Sequence, residues 1–105
     1  MSKVVPFEMN DHTLRKRIAQ VVVDSSRMLL TRHAKQQMRR RKISPTQVLE
    51  TLRRGRIVES AHRNIRGNWQ CTLQHRTGGD EIKVAAAVWI DDADGEWVVV
   101  ITAMN

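Results

Sequence analysis

An α+β fold is predicted for this chain by three observations. Apolar residues recur at helical spacing through the first half, strand-like alternation and apolar runs fill the second, and Gly55 stands at the join. The expected architecture is three N-terminal helices packed on a C-terminal antiparallel sheet of about four strands. At 105 residues, the chain is expected to form one domain over residues 1–105, because two halves would each be too small to bury a convincing core.

After a short apolar and acidic lead, Asn10 or Asp11 is placed to cap a first helix running to about Asp24. Leu14, Ile18, Val21 and Val22 form its apolar stripe, and Arg15, Lys16 and Arg17 turn mostly outward. Met28 to Leu30 is too short to assign alone. Thr31 then caps a second helix through about Arg41, with Ala34 and Met38 on one face. Ser44, followed by Pro45 at the first helical position, opens a third helix, which presents Val48, Leu49 and Leu52 to the core and ends at Gly55.

From Ile57 the pattern changes. Ile57 and Val58 open one strand, and Trp69, Cys71 and Leu73 alternate with Gln70, Thr72 and Gln74 in the next. Gly78, Gly79 and Asp80 supply turn chemistry before a strand from about Ile82 to Ile90. The acidic segment Asp91 to Glu96 turns into a last strand from Trp97 to about Ala103. Short connections imply an antiparallel meander. The last two strands are apolar at nearly every position, which places them in the middle of the sheet or under cover on both faces.

The charge is strongly polarised. The net is +7, yet residues 1–66 carry 16 Lys+Arg against 5 Asp+Glu, whereas residues 67–105 carry 2 against 6. Arginine, whose planar fork suits bidentate phosphate contact and base stacking, outnumbers lysine. A polyanion, RNA above all, is the expected large partner; charge that merely keeps a small protein soluble is the plainer alternative. The longest apolar run, Val84 to Ile90, is far shorter than the roughly 20 residues that cross a bilayer. The N-terminus lacks the apolar core of a secretory signal, so a cytoplasmic location without membrane contact is expected.

The most distinctive segment runs from Thr31 to Lys42. On a helix His33, Gln37 and Arg40 share one stripe beside Ala34 and Met38. His33 there reads either as a proton carrier near neutral pH or as a structural histidine bonded to a turn or a carboxylate. Arg32 and the run Arg39 to Lys42, including Arg41, read either as a ridge that tracks phosphates or as a solvated face. Further on, His62, Arg63 and Arg66 fall near Asn64, Gly67 and Asn68 in a loop that suits a phosphate and equally suits an ordinary hairpin connection. Gln70, Thr72 and Gln74 share a strand face that Lys83 has the parity to join. That face could cradle an RNA backbone or simply be the wet side of the sheet.

Other chemistry is not indicated. Asp91, Asp92 and Asp94 lack the remaining ligands of a calcium loop. His12, His33, His62 and His75 have no zinc spacing, and no phosphate-binding glycine loop or serine nucleophile motif is present. No metal or cofactor is expected. Cys71, the only cysteine, is placed to pack in the core, and Trp69, Trp89 and Trp97 also read as core residues rather than as exposed base-stacking groups.

Thr31-Arg-His-Ala, then Met38, Arg41, Ile43-Ser-Pro, Val48, Leu52, Gly55 and Glu59, and a final Val-Val-Ile-Thr-Ala resemble the DUF4258 family of small bacterial proteins. The resemblance covers about Met28 to the C-terminus and makes residues 1–27 an N-terminal helical extension. It implies kinship with the RelE, BrnT and MqsR group of toxin ribonucleases, in which a helical layer packs on an antiparallel sheet. It further implies metal-free RNA cleavage by attack of the 2′-hydroxyl on the adjacent phosphate, and an acidic antitoxin as a possible partner protein. His33 and Arg41 match the family motif directly.

The expected site therefore has His33, Lys83 and His75 as catalytic candidates, with Arg32, Gln37, Arg40, Arg41, Arg63, Arg66, Gln70 and Gln74 binding nucleic acid. A non-catalytic nucleic-acid-binding or regulatory module, or a basic protein that docks an acidic partner, is the alternative. Two structural questions decide how open this site is: whether the three basic clusters, Arg15 to Arg17, Arg32 to Lys42 and Arg53 to Arg66, converge near Lys83, and whether the first helix covers the polar face of the sheet.

Overall fold

The computed structural model of this chain describes residues 9–105; the reading of the N-terminal lead at residues 1–8 lies outside them. Three helices are each started by a side chain. The Asn10 carboxamide accepts from Thr13 N at 2.8 Å to open α1 (Asp11–Val21), and the Thr31 hydroxyl accepts from Ala34 N at 3.0 Å to open α2 (Arg32–Arg41). Ser44 opens α3 (Pro45–Arg54) with a complete capping box. Its hydroxyl accepts from Gln47 N, and the Gln47 carboxamide accepts from Ser44 N in return. α1 stops three residues short of Asp24, because Asp24 instead caps the short 3₁₀ turn Ser25–Arg27.

The sheet has five strands rather than four. β1 (Met28–Leu30), β2 (Arg56–Arg63), β3 (Trp69–Thr77), β4 (Asp80–Asp91) and β5 (Gly95–Met104) lie in the order β1-β5-β4-β3-β2. β2 to β5 form the antiparallel meander, while β1 pairs parallel with β5, Leu29 opposite Val99. The sheet is therefore mixed. β1 also falls between α1 and α2, so the helices do not all precede the sheet. Three residues carry no readable periodicity, and β1 exists because β5 offers a free edge for it to complete.

Two turns match their residues closely. Gly78 and Gly79, both at positive φ, make the two-residue link that joins Thr77 to Asp80. Between β4 and β5 the Asp91 carboxylate accepts from the backbone of Ala93 and Asp94, and Gly95 takes positive φ. The acidic segment is a hairpin turn.

One core lies between the helices and a single face of the sheet. Leu14, Ile18 and Val22 of the first helical segment, Ala34 and Met38 of α2, and Val48 and Leu52 of α3 pack on Cys71, Leu73, Ile82, Val84, Ala86, Val88, Val98, Val100 and Ala103. α1 thus shares the core that the other helices bury. It sits on the same side of the sheet as they do, and the opposite face has no described helix upon it. Each fully buried Leu, Ile or Val contributes about 1.5–3 kcal/mol of burial, so Leu14 and Ile18 of α1 and Val22 at its C-cap hold the helix firmly in place. No helix among the described residues is long and apolar enough to cross a membrane.

Candidate functional site

The uncovered face of the sheet follows from strand parity. Gln70, Thr72 and Gln74 of β3 pair with Ala87, Ala85 and Lys83 of β4, and these pair onward with Val99, Thr102 and Met104 of β5. The register of β4 and β5 slips by one residue after Ala85, leaving Ile101 as an extra residue on β5. Val100 and Ala103 stay in the core, and Ile101 joins Thr102 on the open side. The middle of this face is consequently apolar rather than wet.

A groove of about 750 Å³ lies across it. Its floor is Leu29 of β1, Val99 and Ile101 of β5, and Ala87 and Trp89 of β4, with Leu29, Val99 and Ala87 in one row across the three neighbouring strands. One wall is the start of α2 with Thr31 and His33; the other is the β2–β3 loop with Asn64, Ile65, Arg66 and Asn68, beside Gln70. Trp89 is 40% exposed and Ile65 entirely so. The expectation that Trp89 packs in the core is therefore corrected. It has the parity of Ala87, not of Val88, and a strand apolar on both faces hides that difference in the sequence.

Each wall is braced. Thr31 donates from its backbone N–H to Val100 O at 3.2 Å and from its hydroxyl to Ile101 O at 3.1 Å while also capping α2. Those bonds pin the first turn of α2 at the β5 bulge and bring His33 to the groove. On the other side the Asn64 carbonyl of the side chain accepts from the backbone of Arg66 and Asn68, both at 3.0 Å, and its amide donates to Gln70 Oε1 at 3.1 Å. Gly67, at φ +82°, allows the chain to turn back there. The Arg63 guanidinium stacks 4.9 Å from the centroid of Trp69 and donates to Gly67 O. The loop is preorganised by these contacts, and Arg66 projects from it without a side-chain partner among the described residues.

Of the residues expected to act together, His33, Arg66 and Gln70 meet in this groove. The others lie elsewhere. Lys83 is on the same face but four residues along β4 from Ala87, about 13 Å away. Beside it Gln74 donates to Glu81, which also pairs with Arg76. His75 pairs with Ile82 and has the parity of Cys71 and Leu73, so it does not share the face of Lys83. Arg32, Gln37, Arg40 and Arg41 are on α2 but do not line the groove, and Arg41 donates to Gln37 at 3.0 Å.

The basic clusters do not converge on Lys83. Arg15 donates to Gly55 O and Arg53 O, Arg53 donates to Val22 O and Val23 O, and Arg17 pairs with Glu96. Arg27 pairs with Asp94 and lies 4.7 Å from the ring centroid of Trp97. These arginines hold elements together. Among the described residues, the cations whose charged groups have no hydrogen-bond or ion-pair partner are Arg32, Lys35, Arg39 and Arg40 of α2, together with Lys16, Lys42, Arg56, Arg66 and Lys83.

A second cavity, of about 790 Å³, lies where Asp11 and His12 approach His62, Arg63 and Trp69. Trp69 Nε1 is buried without an acceptor among the described residues. No group of three or more His, Cys, Asp or Glu side chains among those residues is arranged to hold a metal ion. Burial pushes the Cys71 thiol up to about 12, so it is a protonated core residue.

Residues 30–105 match DUF4258, a domain of unknown function. The chain belongs to the DUF4258 family. The matched region begins at Leu30 and so takes in α2, its cap Thr31 and every strand but most of β1. It includes both walls of the groove, while α1 lies before it. Among curated proteins and among solved structures, none matches the chain.

Proposed function

We propose that this DUF4258 protein is a toxin-like, metal-independent endoribonuclease that binds single-stranded RNA across the uncovered face of its sheet. The observation that carries this reading is the meeting of His33, Arg66 and Gln70 in one groove, each held there by a different element. Arg66, on the braced loop, supplies a cation for the scissile phosphate. His33 takes the proton from the ribose 2′-hydroxyl; the resulting alkoxide attacks phosphorus, and the departing 5′-oxygen is protonated from solvent. The products are a 2′,3′-cyclic phosphate and a free 5′-hydroxyl. The unpartnered cations of α2 hold the flanking backbone.

A second reading is an RNA-binding module with the same surface and no cleavage. It is favoured by the separation of Lys83 and His75 from His33, which leaves His33 as the one histidine in the groove. Docking of an acidic partner protein on the α2 cations would suit either reading.

The test is incubation of purified protein with a mixed-sequence RNA in EDTA, with the product ends mapped. Cleavage leaving cyclic or 3′-phosphate ends is expected, and His33→Ala should slow it by about 10²–10⁴-fold. Intact RNA that is nevertheless bound would favour the second reading, and unchanged cleavage by His33→Ala would remove the proposed role of that residue.

A further inference from the structure

We propose that Trp89 is the floor of a nucleobase-stacking subsite, in which one base of single-stranded RNA lies between Trp89 and Ile65 with its edge against Gln70. This rests on the RNA-binding reading above and adds which part of the RNA occupies the groove.

The argument begins with a mismatch between the groove's floor and its rim. A floor of Trp89, Val99, Leu29 and Ala87 would ordinarily be covered, yet no described helix packs on it and Trp89 remains 40% exposed. Among the described residues no carboxylate lines the groove, and the charged one that does is Arg66. An apolar floor with a cation at the edge and amides on the wall is complementary to an aromatic ring that carries a phosphate. About 750 Å³ also lies within the range for a ligand of nucleotide size.

The side chains are arranged for stacking. Trp97 of β5 is the cross-strand partner of Trp89, and Arg27 stacks on Trp97 in turn, so the neighbouring position on this face is held while Trp89 itself is exposed to the groove. Ala87 and Ala85, the next residues of the same parity, are small enough to leave that ring accessible. Ile65 is held out at the tip of the braced β2–β3 loop, fully in solvent, although nothing in the fold requires an isoleucine there. An apolar side chain so exposed on a preorganised loop suits an opposing jaw. Gln70 accepts from Asn64 through Oε1, which leaves its amide N–H groups without an acceptor among the described residues. Gln70 lines the groove, so these N–H groups are available to donate to a base edge.

The experiment is a fluorescence titration with 2′-O-methyl RNA hexamers, which bind as RNA but lack the hydroxyl needed for cleavage. Wild-type emission should be quenched on binding. Trp89→Phe should bind within about threefold of wild type, since a phenyl ring still stacks, and should lose most of the quenching. Trp89→Ala should bind about tenfold or more weakly at fixed salt. Ile65→Ala, altering a residue that touches no core, should weaken binding by about threefold while keeping the quenching; it keeps the test decisive should Trp89→Ala fail to fold.

Hexamer binding that Trp89→Ala and Ile65→Ala leave unchanged overturns the subsite and leaves the RNA-binding reading standing. A wild-type protein that binds no hexamer overturns both. Because the probe cannot be cut, the result does not depend on whether the protein is a nuclease.

Discussion

Arg53 donates to the carbonyl oxygen of Val22 from both Nε, at 3.1 Å, and Nη2, at 2.9 Å. Arg15 answers from the other helix, donating to Gly55 O and to Arg53 O. Each helix thus lends the other a guanidinium to satisfy carbonyls that its own end leaves unpaired. Arg15, expected from the sequence to turn mostly outward, and Arg53 are the cross-braces that hold α1 on α3.

Arg53→Ala should accordingly lower stability by about 1–2 kcal/mol, measured by urea unfolding, because carbonyls at the end of α1 lose a charged donor. Lysine at 53 should recover only part, since it cannot make two bonds from a planar fork. The salt dependence of RNA binding should not change. Arg66→Ala should do the reverse, leaving stability within about 0.5 kcal/mol and reducing the slope of log affinity against log salt by about 1.

Gly55 is fixed by close approach. Its φ of −69° is open to any residue, yet a Cβ there would stand 2.5 Å from Thr51 O, 3.1 Å from Gln74 O and 3.2 Å from Leu73 Cβ. Two of these contacts are backbone atoms of α3 and β3, which cannot swing aside as a flexible side chain would. Gly55→Ala should cost about 1–3 kcal/mol in thermal or urea unfolding, whereas Gly79→Asn, which has open space and a turn conformation that asparagine tolerates, should cost less than about 1 kcal/mol.

The buried thiol gives a pH dependence with a defined sign. Cys71 holds its proton to about 12 in the folded chain, against 9.0 for an unperturbed thiol. Between those values the unfolded chain binds fewer protons than the folded one, so stability is complete below pH 9 and declines as pH rises toward 12. The contribution reaches at most about 1.4 kcal/mol per pH unit. Cys71→Ala should flatten the decline in unfolding free energy across that window. At pH 8 the native thiol should resist a thiol reagent that labels it readily in urea.

How far the sequence could be read depended on how local the cause was. Asn10, Thr31 and Ser44 start the three helices through bonds to backbone three residues on, and Gly78-Gly79 closes a hairpin through its own φ values. Those elements were legible with little error. Met28 to Leu30 was not, because its pairing partner, Val98 to Val100, lies some 70 residues away. In the site, His33, Arg66 and Gln70 were all candidates from the sequence, although nothing there said that they meet. Trp89 was missed because β4 is apolar on both faces, and only the alternation of Lys83 with Val84 hinted at which side it would take.

The sequence by itself determined an α+β chain with three capped helices, a four-strand antiparallel meander, a buried Cys71 and a strongly basic first two thirds. All of these follow from contacts or periodicities spanning a few residues. The tertiary structure decided which face of the sheet stays uncovered, since that depends on α1, α2 and α3 all packing on the same side. It also decided which cations are free. A guanidinium is equally able to bind a phosphate or a helix-end carbonyl, and for Arg15 and Arg53 the fold places the carbonyl first.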